Sequence, residues 1–317
     1  MTRENTAMGD RMTIRHIAAR QHPRLFYSDI FTPISAGRRK KAVEWIREFE
    51  DVTVTIRMFN QLDVADQDLM LCILSIARSH VNTMDQKEYL VNPARTPEGL
   101  KSELKGYKPS QRAKLSIERL PTLNIKTTCN ELLTDIGRST GGSDYKWLIS
   151  SLKRLSSTSF FLENKKEIFG GSNMLSFNMD KDTNEVSIHI NALSAHSIWA
   201  PFGDYIYSDR RERHTLDSDL ARALHDKLCA RVRAGEKNRR LKADELLSLI
   251  YNDSRDVKKA ESEDKDTVKK RLSKRRGQLM VAIKQVNKLP LWNIETDGRG
   301  AKLALVVSRK KTRTAKS

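Results

Sequence analysis

The stretch DTVKKRLSKRRGQLMVAIKQVNK, residues 266–288, decides how this chain is read. At 100° per residue, Val268, Leu272, Leu279, Ile283 and Val286 form one apolar stripe. Lys270, Ser273, Lys274, Gly277, Gln278 and Lys284 lie opposite, Arg271 flanks them, and Lys269 opens the same basic run. Arg275 and Arg276 lean toward the core side, within reach of phosphates at the edge of a groove. Lysine and arginine pair with phosphates or guanine, and glutamine can bond adenine twice. Gly277 costs about 1 kcal/mol relative to alanine in an exposed helix, and close approach to a groove wall would account for it. The alternative is a solvated charged face with an incidental glycine.

Working outward, Leu291–Thr296 and Lys302–Ser308 read as two strands across the turn Asp297-Gly298-Arg299-Gly300. Arg299 and Lys302 then sit on a wing that meets backbone or minor groove. Upstream, Leu216–Val232 and Leu241–Tyr251 read as helices. Helix, helix, basic helix and hairpin is the order of a winged helix-turn-helix.

The same order stands earlier in the chain. Thr127–Ile136 and Ser143–Leu155 read as helices joined by the turn at 137–142, with Ser143 or Asp144 as N-cap of the second. Thr158–Glu163, Met174–Met179 and Glu185–Ile190 read as strands, with Gly170-Gly171 and Asp180–Asn184 in the loops between them. Lys146, Ser150 and Lys153 face outward and Arg154 flanks them, a thinner version of the later face. Val52–Phe59 alternates as a strand, and Val64–Ser79 follows as a helix with Asp63 as N-cap.

The expected class is α+β, with two tandem winged-helix domains. The expected division is a flexible segment over 1–41, a first domain over 42–203 with an insertion at 85–123, a second over 204–308, and a disordered basic tail over 309–317. The basic run Arg210, Arg211 and Arg213 near the boundary counts with the DNA contacts.

Charge supports a polyanionic partner. The chain has 317 residues and a formal net charge of +18. Residues 201–317 hold 30 Lys and Arg against 17 Asp and Glu, and 255–317 alone hold 19 against 7. An excess this local points to nucleic acid rather than to solubility alone. No apolar run approaches the ~18 residues that cross a membrane, so no membrane partner is expected. Cys72, Cys129 and Cys229 have no CxxC spacing and read as reduced thiols of a bacterial cytoplasmic protein.

Enzymatic readings find little purchase. There is no GxxxxGK[ST] phosphate loop and no Cys/His cluster, so neither cofactor nor metal is expected. His189 lacks the second histidine of a rolling-circle nickase motif, and His225 reads as structural.

The segments HTLDSDLARALHDKLCARV (214–232), the helix-turn-helix at 127–155, EVSIHINAL (185–193) and LPLWNIE (289–295) together resemble the plasmid replication initiators of the Rep superfamily, especially the IncQ-type RepC initiators. The resemblance spans about residues 42–308 and departs at the N-terminal segment and the 85–123 insertion. It implies a non-enzymatic protein that binds tandem repeats (iterons) in double-stranded DNA, helps open the origin and recruits a replicative helicase. It also implies a homodimer surface on the first domain. A winged-helix transcriptional regulator is the alternative binding protein, and a nickase or primase the enzymatic one.

Overall fold

The computed structural model describes residues 18–21, 30–34, 39–49, 52–83, 123–163, 165, 168–191, 195, 198, 206–251 and 264–311. Strands β1 (Ala18–Gln21), β2 (Phe31–Thr32), β3 (Lys41–Phe49), β4 (Val52–Asn60) and β5 (Leu62–Asp63) precede helix α1 (Val64–Thr83). The alternation of VTVTIRMF puts Val54, Ile56 and Met58 in the core and Arg57 and Phe59 outside. Asp63 caps α1 as its sequence suggests: its carboxylate accepts from the Asp66 amide at 2.8 Å, and the Asp66 carboxylate accepts from the Asp63 amide at 3.1 Å. The segment expected to be flexible over 1–41 is in part built in. Ile30 and Phe31 are buried, and β1 pairs antiparallel with a strand from the middle of the chain.

The first winged unit follows. Strand β6 (Leu123–Thr128) runs directly into helix α2 (Cys129–Asp135), and helix α3 (Gly142–Ser156) comes next. Thr128 caps α2 by accepting from the Glu131 amide at 3.1 Å. Gly141 stands at the N-cap of α3 without a side-chain bond, in place of the expected Ser143 or Asp144. Asp144 instead accepts from Arg138 at 2.9 Å and from the Ser139 amide at 3.2 Å. The Ser139 and Arg138 hydrogen bonds hold its carboxyl below the usual carboxylate range, so the turn between the helices is tied by one charge.

Four strands, rather than three, follow α3: β7 (Thr158–Glu163), β8 (Ile168–Asn173), β9 (Leu175–Met179) and β10 (Glu185–Ile190). Gly170-Gly171, expected in a loop, lies within β8. Strands β7 and β8 join a separate sheet of order β3-β4-β7-β8. The wing proper is β9 and β10, in a sheet of order β6-β10-β9.

The second unit repeats this plan. Strand β11 (Ile206–Asp209), the partner of β1, leads into the short helix α4 (Arg210–His214). Then come α5 (Asp219–Arg231), β12 (Arg239–Lys242), α6 (Ala243–Tyr251), α7 (Lys265–Val286), β13 (Trp292–Asp297) and β14 (Ala304–Arg309). The sheet order is β12-β14-β13, so in both units the first strand pairs with the third and the third with the second. Helix, strand, two helices and a two-stranded wing define the winged helix twice. Strand β14 includes Arg309, which packs its guanidinium 4.6 Å from the Trp292 ring centre, so the tail begins later than expected.

Two apolar cores match the two units. Trp45, Ile56, Ile73, Leu148, Leu152 and Ile188 belong to one. Leu224, Leu228, Leu247, Leu279, Ile283, Trp292 and Leu305 belong to the other. Val64, at the start of α1, packs into the second core.

Helix α4 joins them through charge. Arg210 and Arg213 are 1% and 2% exposed. Arg210 donates to the Asp135 carbonyl at 2.8 Å and pairs with its carboxylate. Arg213 pairs with Asp68 and donates to Gln67 Oε1 and the Arg222 carbonyl, each at 2.9 Å. Arg222 reaches the same Asp68 at 3.2 Å. Removing one partner of such a pair leaves a buried charge uncompensated, at about 3–5 kcal/mol. Asp68→Ala should lower stability to urea by that order, where a surface aspartate would change it little.

A second buried pair links α4, α5 and β13. His225 Nε2 lies 3.0 Å from Glu212 Oε2, and Trp292 Nε1 donates to the same oxygen at 3.2 Å. Burial opposes a charged imidazole, but the Cys229 sulfur and the Glu212 carboxylate outweigh it and lift His225 from 6.5 to about 9. The raised folded value means the pair's stabilisation is full below pH 6.5 and disappears as pH rises through about 9. Thermal melts across that window should show a decline that His225→Gln lacks.

Candidate nucleic-acid interface

Helix α7 presents the cationic face that its sequence spacing implies. Lys269, Lys270, Ser273, Lys274, Gly277, Gln278 and Lys284 are exposed, while Leu279, Ala282, Ile283 and Val286 are buried. The Asp264 side chain caps the helix by accepting from the Thr267 amide at 3.3 Å. Val268 and Leu272 of the expected apolar stripe are only half-buried, so the firm seating lies in the C-terminal half. A Cβ built on Gly277 would meet nothing within 4 Å, so no internal contact calls for a glycine there.

The arginines of this helix behave differently from its lysines. Arg276 donates from Nε and Nη2 to the two carboxylate oxygens of Asp244 at 2.8 and 2.6 Å. Those bonds raise its already high pKa further. It fastens α7 to the start of α6, with 18% of its side chain still exposed. Arg275 stacks on Tyr251, 4.0 Å from the ring centre. The Tyr251 hydroxyl approaches Gln278 Oε1 at 3.5 Å, a long contact that steers the carboxamide. Arg271 is half-buried.

The wing carries its cations at the tip. Arg299 and Lys302 are exposed. Gly298 has φ +78°, and a Cβ there would lie 2.6 Å from the Lys302 carbonyl oxygen, so only glycine makes this bend. Arg240 of β12 pairs with Asp297 beside it.

The first unit has fewer free charges. Lys146, Ser150 and Lys153 are exposed on α3, and the Ser150 hydroxyl donates back to the Lys146 carbonyl at 2.8 Å. Arg154 is held by Asp66, with Nη2 at 2.6 Å and Nε at 3.1 and 3.2 Å from its oxygens. Asp66 also receives Ser151 at 2.6 Å and Arg39 at 2.9 Å. Burial works against this carboxylate, but the Arg154 bonds prevail and lower its pKa. Arg154 therefore anchors α3 to the start of α1. The tip of this wing holds Asp180 and Asp182 around Lys181, with Asp180 accepting from the Asp182 amide at 2.8 Å. Such a tip is ill matched to phosphate.

At the junction, Arg210 and Arg213 are removed from the interface by burial, as described above. Arg211 is 61% exposed and pairs with Asp209 at 3.1 Å. Sequence reasoning overlooked Val281, which is 57% exposed at the centre of the α7 face. The same helical spacing that selected Lys274 and Gly277 selects it too.

Two winged helices in one chain, one with a cationic third helix and a basic wing, are the architecture of a DNA-binding protein. A family model described as Replication protein C (RepC) matches residues 103–290, a span containing α2 to α7. The chain belongs to this replication protein family. Among solved structures, domains 2 and 3 of RctB match at 8% identity and TM-score 0.48, covering 89% of this chain and 95% of that one. A second structure of RctB domains 2–3 matches at 10% identity and TM-score 0.47, covering 90% and 96%. The Pi initiator protein in complex with iteron DNA matches at 16% identity and TM-score 0.36, covering 80% and 93%. No curated protein matches.

Proposed function

We propose that the chain is a sequence-specific, double-stranded-DNA-binding plasmid replication initiator that binds tandem repeats at an origin. On this reading it promotes opening of the adjacent duplex, recruits a replicative helicase, and acts in the bacterial cytoplasm without bond-making chemistry of its own. The first head spans 42–203 together with the buried Ile30 and Phe31, and the second spans 204–309. The observation that carries the proposal is the row of exposed lysines on α7, with Lys270, Lys274 and Lys284 outward beside Gln278. Membership of the replication protein family supports the role. Two linked heads suit a long, asymmetric repeat, whereas a regulator commonly uses one head per chain and gains the second by dimerising.

Pairing with phosphate gives affinity and pairing with base edges gives sequence preference. The second head should dominate, since the first has three exposed candidates on α3 and an acidic wing tip. Lys274→Ala combined with Gln278→Ala should weaken binding to the cognate repeat far more than to random duplex, measured by fluorescence anisotropy. Equal weakening on both would refute base reading by α7. Removing one lysine that neutralises a phosphate should also flatten the slope of log affinity against log salt by about 0.9. Nicking or covalent attachment on supercoiled origin DNA would favour an enzyme instead.

The first head also offers a surface for a second copy of the chain. Ile46, Phe59 and Ile168 are 53%, 67% and 70% exposed. Strand register places them with Phe161 on the outer face of the β3-β4-β7-β8 sheet. Phe59→Lys should shift sedimentation from dimer toward monomer while leaving the fold unchanged by circular dichroism.

A further inference from the structure

Val281 stands out among the exposed residues of α7 as an apolar side chain. It is 57% exposed, and among the described residues the other large exposed hydrophobics lie on the β3-β4-β7-β8 sheet. Valine is also a weaker helix former than lysine, arginine or glutamine, any of which would suit a solvated site better. Three of its neighbours at helical spacing, Gly277, Gln278 and Lys284, are exposed; the fourth, Gln285, is half-buried against Ser218, and Lys274 lies a further turn away. An apolar side chain thus stands at the centre of a cationic face. The open space above Gly277 lets a surface come close to the backbone just one turn before it.

A major groove satisfies both features. Its walls are phosphates, which match the lysines, and its one prominent apolar group is the thymine C5-methyl. Gln278 lies three residues before Val281 and is the side chain suited to adenine N6 and N7. Residues at this separation are neighbours on a helix surface, about 5–6 Å apart at Cβ. That separation spans one to two base-pair steps of about 3.4 Å.

We propose that Val281 is a specificity-determining residue that packs on a thymine methyl group, at or next to the A·T pair engaged by Gln278. The inference rests on α7 being the DNA-reading helix. It names the base chemistry that helix prefers: an A·T-containing centre, read from the major groove, with lysines on the flanking phosphates.

The test uses the full chain and a duplex selected by it from a randomised library. Each thymine is replaced in turn by deoxyuridine, which removes the methyl group alone. Burial of one methyl corresponds to about a four-fold change in affinity. Wild type should weaken by about that factor at one or two thymines. Val281→Ala should bind the unmodified duplex about as weakly and show no further weakening at those positions. Lys274→Ala should bind more weakly overall but keep the deoxyuridine sensitivity. Full deoxyuridine sensitivity in Val281→Ala, or none at any thymine in wild type, would overturn the inference while leaving DNA binding by α7 intact. Undiminished binding by Lys270→Ala and Lys274→Ala together would instead remove α7 from the interface, and the proposed function with it.

Discussion

The geometry of the two heads depends on one buried ionic junction. Helix α4 places Arg210 and Arg213 out of water between the units, where Asp135 and Asp68 receive them. Buried guanidinium groups persist only when their charge and their hydrogen bonds are both met. Carboxylates, carbonyls and the Gln67 amide meet them here. The arrangement couples α1 and α2 of the first unit to α4 and α5 of the second. A short helix that reads as a basic patch is in fact the rivet between the two winged units.

The same physics sorts cations within each head. Arg154 on α3 and Arg276 on α7 each lie where the reading helix meets its own domain, and each is held by an aspartate on another helix, Asp66 or Asp244. Arginine suits this task because its planar fork binds a carboxylate at two points. The lysines at 270, 274 and 284 point to solvent, where long hydrated side chains are cheap to keep free. The division of labour is that these arginines fix the helices and the lysines remain exposed. The asymmetry between the heads follows from what is left over, with α7 and its basic wing better supplied than α3 and its acidic one.

The helices are largely legible from spacing. The elements that escape it are short first strands. Strand β6 (LNIKTT) and strand β12 (RRLK) each run straight into a helix, and each reads as part of that helix or of the loop before it. Their identity comes from hydrogen bonds to β10 and β14, some sixty residues downstream, and local propensity carries no trace of such a partner. Strand β3 escapes for a related reason: KAVEWIREF has charges on its open face that suit an edge strand as well as a coil. Strand β7 is recognisable as a strand, but its membership in the β3-β4-β7-β8 sheet rather than the wing is a property of pairing alone.

By itself the sequence determined the periodic features: two helix-turn-helix units, the basic excess near the C-terminus, and the outward face of α7. These follow from residue spacing along one helix and from counting charge, both of which are local. Only the tertiary structure decided which of those charges are available. Arg154 is neutralised by a residue 88 positions away, Arg213 by one 145 away and Arg276 by one 32 away. A charge run shows how many cations a segment carries, but ion pairing is decided in space. It ties Arg154, Arg210, Arg213 and Arg276 to carboxylates and leaves Val281 exposed on the cationic face of α7.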